Sequence, residues 1–295
     1  MSISSNATPP HDVSDRTDPA KVISSNMQLT QTQKSSLYEN GLVKLPGIVP
    51  AAYVNAALRA VNGSLGSEGI HPDRLVTFRS QSYCPELQRS PAITDLLHAS
   101  PLWSLAEDAI GVGQISPVGA GQIALRFPTD GEPHEPHAHI DGMYTPHNGV
   151  TEGTIQNFTA LIGVFLSDVP GPYAGNFTVW PGTHRTYESY FRANGPESLL
   201  QGMPPVELPT SEQVTAKAGD AVLAHYQLGH GIAGNASPHI RYAVFFRLSH
   251  VDHESVRLEC MTDIWQEWAG MRDVVAEADK GRNPSEDRGG TRART

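Results

Sequence analysis

Apolar positions recur along this chain with two different periods, and the change falls near Gly111. Before it, the spacing is helical. Thr30 and Gln33 have capping-box spacing at the start of a helix that Gly41 stops. A short strand, GLVKLPGIV, follows. Pro50 opens a second helix with Val54, Leu58 and Val61 on one face and Gly63 at its end. SPAITDLLHASPLWSLAEDAI (90–110) reads as two helices broken at Pro101. After Gly111, short runs rich in β-branched and aromatic residues alternate with Gly, Pro, Asn and Asp turns. They are QIALRFP (122–128), HAHIDGM (137–143), TALIGVFLSDV (159–169), NFTVWPG (176–182), DAVLAHYQLGH (220–230) and IRYAVFFRL (240–248). Few helix-length segments separate them, which predicts an all-β sandwich or barrel rather than alternating β and α units. Residues 186–205 interrupt the pattern with a helical or irregular insertion. DIWQEWAGM predicts a short helix whose Trp265 and Trp268 serve the core.

These elements predict one domain over 28–272: a helical part at 28–112, a β core at 113–250 and a C-terminal helix within 251–272. Residues 1–27 are rich in Ser, Thr, Pro and Asp, and 273–295 are polar and rich in Gly and Arg. Both read as disordered tails that add little to stability.

Composition narrows the function classes. The 295 residues carry a net charge of −10, which argues against nucleic acid or an anionic membrane as partner. Two distant cysteines, Cys84 and Cys260, make neither a disulfide framework nor a thiolate zinc site. They fit a reducing compartment. The N-terminal residues lack the apolar run of a signal peptide, and no stretch approaches a membrane span. A cytoplasmic protein acting on a small molecule is the expectation, with its oligomeric state open.

Of the 13 histidines, His134, His137, His139 and His147 fall in one segment, HEPHAHIDGMYTPH. Residues i and i+2 of a strand share a face, so His139 and Asp141 can enter a barrel interior together. His137 shares that parity and is the rival ligand. His230, at the end of DAVLAHYQLGH, is the best third ligand. Two histidines and one carboxylate, with one face of the metal open, form the arrangement of non-haem Fe(II) oxygenases. Arg241 follows His230 by eleven residues across a turn, which predicts neighbouring antiparallel strands and an arginine deeper in the barrel. Its planar fork suits a carboxylate. A metal beside such an arginine is what 2-oxoglutarate requires. Arg126 is the rival anchor, and Arg247 is expected well up its strand. His147, in the loop after Asp141, is a candidate substrate contact or a surface turn. His184 and His225 read as structural.

Four blocks in order resemble the phytanoyl-CoA dioxygenase (PhyH) family of Fe(II)/2-oxoglutarate oxygenases: HIDG, GNFTVWPGTHR, AGDAVLAHYQLGHG and HGIAGNASPHIR. The YENGLVKLPGIV block before them is also typical, and together they span roughly residues 30 to 250. The resemblance implies a mainly β fold with flanking helices around a double-stranded β-helix (jelly-roll, cupin-like) core. It also implies iron held by His139, Asp141 and His230, with 2-oxoglutarate held by Arg241. O2 and a small organic substrate complete the expected reaction, a hydroxylation that releases succinate and CO2. Two departures stand out. Ile232 occupies a position where some members carry a serine that helps the co-substrate. No equivalents of the best-known member's tryptophan and lysine are found. Gln122 is a candidate for one such secondary contact. Two other readings compete: a non-catalytic metal-binding jelly-roll, and a cupin-type metalloenzyme that does not use 2-oxoglutarate.

Overall fold

The computed structural model describes residues 27–281. The N-terminal tail expected over residues 1–27, save Met27, and the tail residues beyond 281 lie outside them.

The chain opens with α1 (Gln31–Asn40), whose Thr30 and Gln33 form the expected capping box and whose C-cap, Gly41, takes φ +75°. After β1 (Leu42–Leu45) comes α2 (Ala51–Glu68). Gly63 does not end α2. The helix runs on to a cap at Gly69, whose N–H meets the Leu65 carbonyl. One exposed glycine costs a helix only about 1 kcal/mol, too little to stop it. The short α3 (Leu75–Ser80) precedes α4 (Pro91–His98) and α5 (Leu102–Ile110), which part at Pro101 as expected.

The β region holds β2 (Gln122–Arg126), β3 (Ala160–Phe165), β4 (Phe177–Val179), β5 (Glu212–Gln213), β6 (Ala221–His225), β7 (His230–Ile232) and β8 (Arg241–Leu248). Five strands form one antiparallel sheet in the order β1-β6-β3-β8-β2, and three form a second in the order β5-β4-β7. The larger sheet is apolar on both faces, hence its near-continuous hydrophobic runs. Leu223, Ile162, Val244, Phe246, Ile123 and Leu125 face a core shared with the helices α2, α4 and α5. Their alternates Val222, Leu161, Ala243, Phe245 and Ala124 face the second sheet. This is a jelly-roll with helices packed on its outer face.

Three expectations are corrected. HAHIDGM is not a ladder strand: His139 makes one isolated bridge with His230, with Pro133 and Pro136 before it and a turn at Asp141–Gly142 after it. DAVLAHYQLGH is two strands, because Leu228 N–H closes a turn on the His225 carbonyl and Thr183 Oγ1 accepts from Gly229 N–H. His230 therefore opens β7 in the smaller sheet. Its strand is not beside that of Arg241; β7 pairs with β4, and β8 pairs with β2 and β3. The two residues therefore lie on strands of different sheets.

The insertion folds as α6 (Thr183–Asn194) and a 3-10 helix, Pro196–Gln201. The DIWQEWAGM segment makes turns and a 3-10 helix (Ala269–Met271) rather than one α-helix, with Trp268 fully buried. After α7 (His253–Val256), the last element among the described residues is α8 (Arg272–Gly281). Helix thus replaces the start of the expected C-terminal tail, because Val274, Val275 and Ala278 supply an apolar face that joins the helical core.

Candidate metal and co-substrate site

His139, Asp141 and His230 present ligand atoms within 4.8 Å of one another. Nε2 of His139 lies 3.7 Å from Asp141 Oδ1, and Nε2 of His230 lies 3.8 Å from the same oxygen. Reciprocal backbone hydrogen bonds of 2.9 Å between His139 and His230 set the two rings 4.6 Å apart. Such close approach depends on glycine. A Cβ on Gly231 would sit 2.4 Å from the His137 carbonyl oxygen, and one on Gly142, at φ +93°, would meet the Gln156 carbonyl at 2.8 Å. The glycines of HIDG and HGI are therefore part of the site's construction.

His230 Nδ1 lies 3.0 Å from the Leu228 carbonyl, which fixes the ring and leaves Nε2 facing His139 and Asp141. Burial, then the neighbouring His139, pushes the His230 pKa down to about 4. The imidazole is neutral at neutral pH, as metal binding requires. For Asp141, burial alone would raise the pKa. Arg247, through its charge and its hydrogen bonds, chiefly outweighs it and holds the carboxyl well below the usual range.

Arg247, expected well up its strand and away from the ligands, belongs to the site. Its Nε and Nη2 donate to Asp141 Oδ2 at 3.0 and 2.7 Å, and Nη1 donates to Gln122 Oε1 at 2.8 Å. Strand parity held the clue, since Arg247 lies six residues from Arg241 on the same face of β8. Gln122 is thus at the site, engaged by Arg247.

The site opens on a cavity of about 370 Å³ whose apolar walls include Leu161, Phe177, Ile232 and Phe245. Gln122, Arg126 and Arg247 add polar groups, and Arg79, Thr145 and Asn148 come from the helix α3 and the loop after Asp141. Arg241 pairs in register with Arg126 and is 1% exposed, behind the cavity lining. Its Nε donates to the Gly175 carbonyl and its Nη1 to that of Ala124, while Nη2 is buried with no partner. Burial first, then Arg126, holds its pKa well below the ordinary arginine range. A buried guanidinium with a spare donor and no carboxylate is costly unless an anion completes it.

The remaining candidates lie elsewhere. His137 is exposed and outside the cluster, and His134 is also exposed. His147 is exposed and absent from the cavity wall; its carbonyl accepts from Gln81 Nε2 at 2.9 Å. His184 and His225 are buried and bonded to the carbonyls of Tyr38 and Ile264. A second group with metal-ligand chemistry, His253, Cys260 and Glu267, had no signal in spacing. There Glu267 accepts from Thr159 Oγ1 at 2.5 Å and lies 2.9 Å from His253 Nδ1. That pattern is a strut tying the C-terminal segment to the start of β3.

No family model matches the chain, and no curated protein matches it. Solved structures do. HygX from Streptomyces hygroscopicus, with nickel and 2-oxoglutarate bound, aligns over 76% of this chain and 88% of that one at 18% identity, with a TM-score of 0.51. EctD from S. alaskensis, with 2-oxoglutarate and 5-hydroxyectoine, aligns over 76% and 77% at 18% identity, also with a TM-score of 0.51. The likeness is one of fold. This chain shares their jelly-roll. Among the described residues, no helix is long and apolar enough to cross a membrane.

Proposed function

We propose that this chain is an Fe(II)- and 2-oxoglutarate-dependent dioxygenase that hydroxylates a small molecule in the cytoplasm. The observation that carries the reading is the convergence of two imidazole nitrogens and one carboxylate oxygen on a cavity backed by an arginine with no counter-ion. His139 Nε2, His230 Nε2 and Asp141 Oδ1 would hold the iron, a donor set suited to a metal with open positions. Bound there, Fe(II) would supply the O2 chemistry that side chains lack.

The protein's own part is placement. Arg247 fixes the Asp141 carboxylate so that Oδ1 faces the histidines. Arg241 would take the distal carboxylate of 2-oxoglutarate through Nη2. Leu161, Phe177 and Phe245 give the cavity apolar walls beside the metal ligands. The four sequence blocks support membership of the phytanoyl-CoA dioxygenase family, and the fold of HygX and EctD supports the reaction class.

The test is succinate formation by the purified protein with Fe(II), ascorbate and 2-oxoglutarate. Succinate should form above the metal-free background, and Asp141→Ala should abolish it. Iron binding without any succinate would favour the non-catalytic homologue. Oxidation of a substrate without loss of 2-oxoglutarate would favour the cupin-type enzyme.

A further inference from the structure

Resting on that reading, we propose that the substrate is an anion whose carboxylate or phosphate group is received by Arg79 and Arg126. Arginines outnumber acids around the cavity. Its lining holds three arginines, Arg79, Arg126 and Arg247, and one acid, Asp141. Arg247 is fully engaged by Asp141 and Gln122. The two carboxylates of 2-oxoglutarate would be taken up by the metal and by Arg241. Nothing remains to neutralise Arg126 and Arg79.

Neither has another partner of opposite charge among the described residues. Arg126 is half-buried, and its guanidinium makes one hydrogen bond, from Nη1 to the carbonyl of its own neighbour Leu125. Burial first lowers its pKa below the ordinary arginine range; Tyr83 offsets part of this, and nearby Arg79 lowers it further. Arg79, in the last turn of α3, is exposed and forms no hydrogen bond or ion pair. Two guanidiniums sharing one wall is the arrangement that oxyanions reward with charge-assisted, bidentate bonds. The chain carries −10 overall, so this cationic corner runs against its general charge.

The corner is also held in place. Gln81, the C-cap of α3, donates from Nε2 to the His147 carbonyl in the loop after Asp141. That loop is closed on itself by Asn148, whose Oδ1 accepts from the N–H groups of Thr145 and Val150 and whose Nδ2 donates to the Met143 carbonyl. Helix and loop thus meet beside the metal ligands, with Arg79 carried on the helix side.

The probe is sulfate. The protein is saturated with Ni(II), which replaces iron without turnover, and with 2-oxoglutarate, then titrated calorimetrically. One sulfate should bind per chain, and its neutral isostere dimethyl sulfone should not. Arg79→Gln and Arg126→Gln should each weaken sulfate by about tenfold or more, about 1.4 kcal/mol, while Arg89→Gln, outside the cavity, leaves it unchanged. Arg79 is exposed, so its variant tests the idea without risk to the core. Absence of sulfate binding, or equal binding by both variants, overturns the inference. Sulfate binding that vanishes when 2-oxoglutarate is added also overturns it, since the arginines then serve the co-substrate, and the oxygenase reading stands. Failure of 2-oxoglutarate itself to bind brings down both.

Discussion

Asp141 gives its two oxygens to different partners, Oδ2 to Arg247 and Oδ1 to the pair of histidines. Groups that orient a ligand typically account for 10–100-fold in metal affinity. Arg247→Leu should therefore weaken iron binding by about tenfold or more, measured by competition with a chelator, while the three ligand residues stay intact. Arg241 is tested separately. Truncating one member of a buried charge pair costs roughly 2–5 kcal/mol, so Arg241→Ala should weaken 2-oxoglutarate by about 30-fold or more. Iron affinity should survive. Arg241→Lys should recover part of the loss, because lysine has no fork. Titration of Arg126→Ala with 2-oxoglutarate decides the register: loss there, with Arg241→Ala unaffected, moves the anchor to β2.

Among the elements, the contact between the His137–His139 segment and β7 is one bridge wide. Its closeness depends on Gly231, so Gly231→Ala should push the segment away and lower both iron affinity and Tm. Unchanged iron affinity would show that the segment has room to shift without moving His139. The C-terminal segment is tied to β3 by Glu267, which burial would raise in pKa but which the His253 and Thr159 contacts hold below the usual range. A carboxyl with a depressed folded-state pKa stabilises at pH above its unfolded value, and that contribution is lost as pH falls through the folded value. Glu267→Ala should cost about 1–3 kcal/mol near neutrality by removing the acceptor of the Thr159 hydroxyl and the partner of His253 Nδ1. The gap from wild type in denaturant melts should narrow on acidification. A gap that stays constant with pH would mean the carboxylate charge plays no part.

At the scale of the whole molecule, α8 packs on the helical layer, and a chain truncated after Met271 should melt several degrees below one truncated after Gly281, through loss of Val274 from the core. An unchanged Tm would mean that α8 only lies on the surface. The local rules were legible in the sequence. The Thr30–Gln33 capping box, Gly41 and the Pro101 break depend on neighbours within one turn. The runs of β2, β3, β6 and β8 announce themselves because both faces of the larger sheet are buried. The His139–Asp141 pair was legible from its spacing, although the segment is one bridge followed by a turn and not the strand that parity assumes; parity did give the inward face of Arg241. Pairing between distant segments was not. Parity says which face a side chain takes but not which strand lies opposite, so the sequence placed β7 beside β8, whereas the fold put them in facing sheets. For the same reason the meeting of Arg247 with Asp141 is invisible in the sequence. The distance between them is set by how 106 residues of chain return. The His253–Glu267 tie to Thr159 likewise exists only once the C-terminal segment packs against β3. Residue types and local periods determined the elements and the donor set; only the packing of the two sheets decided which arginine meets the aspartate and which are left for anions.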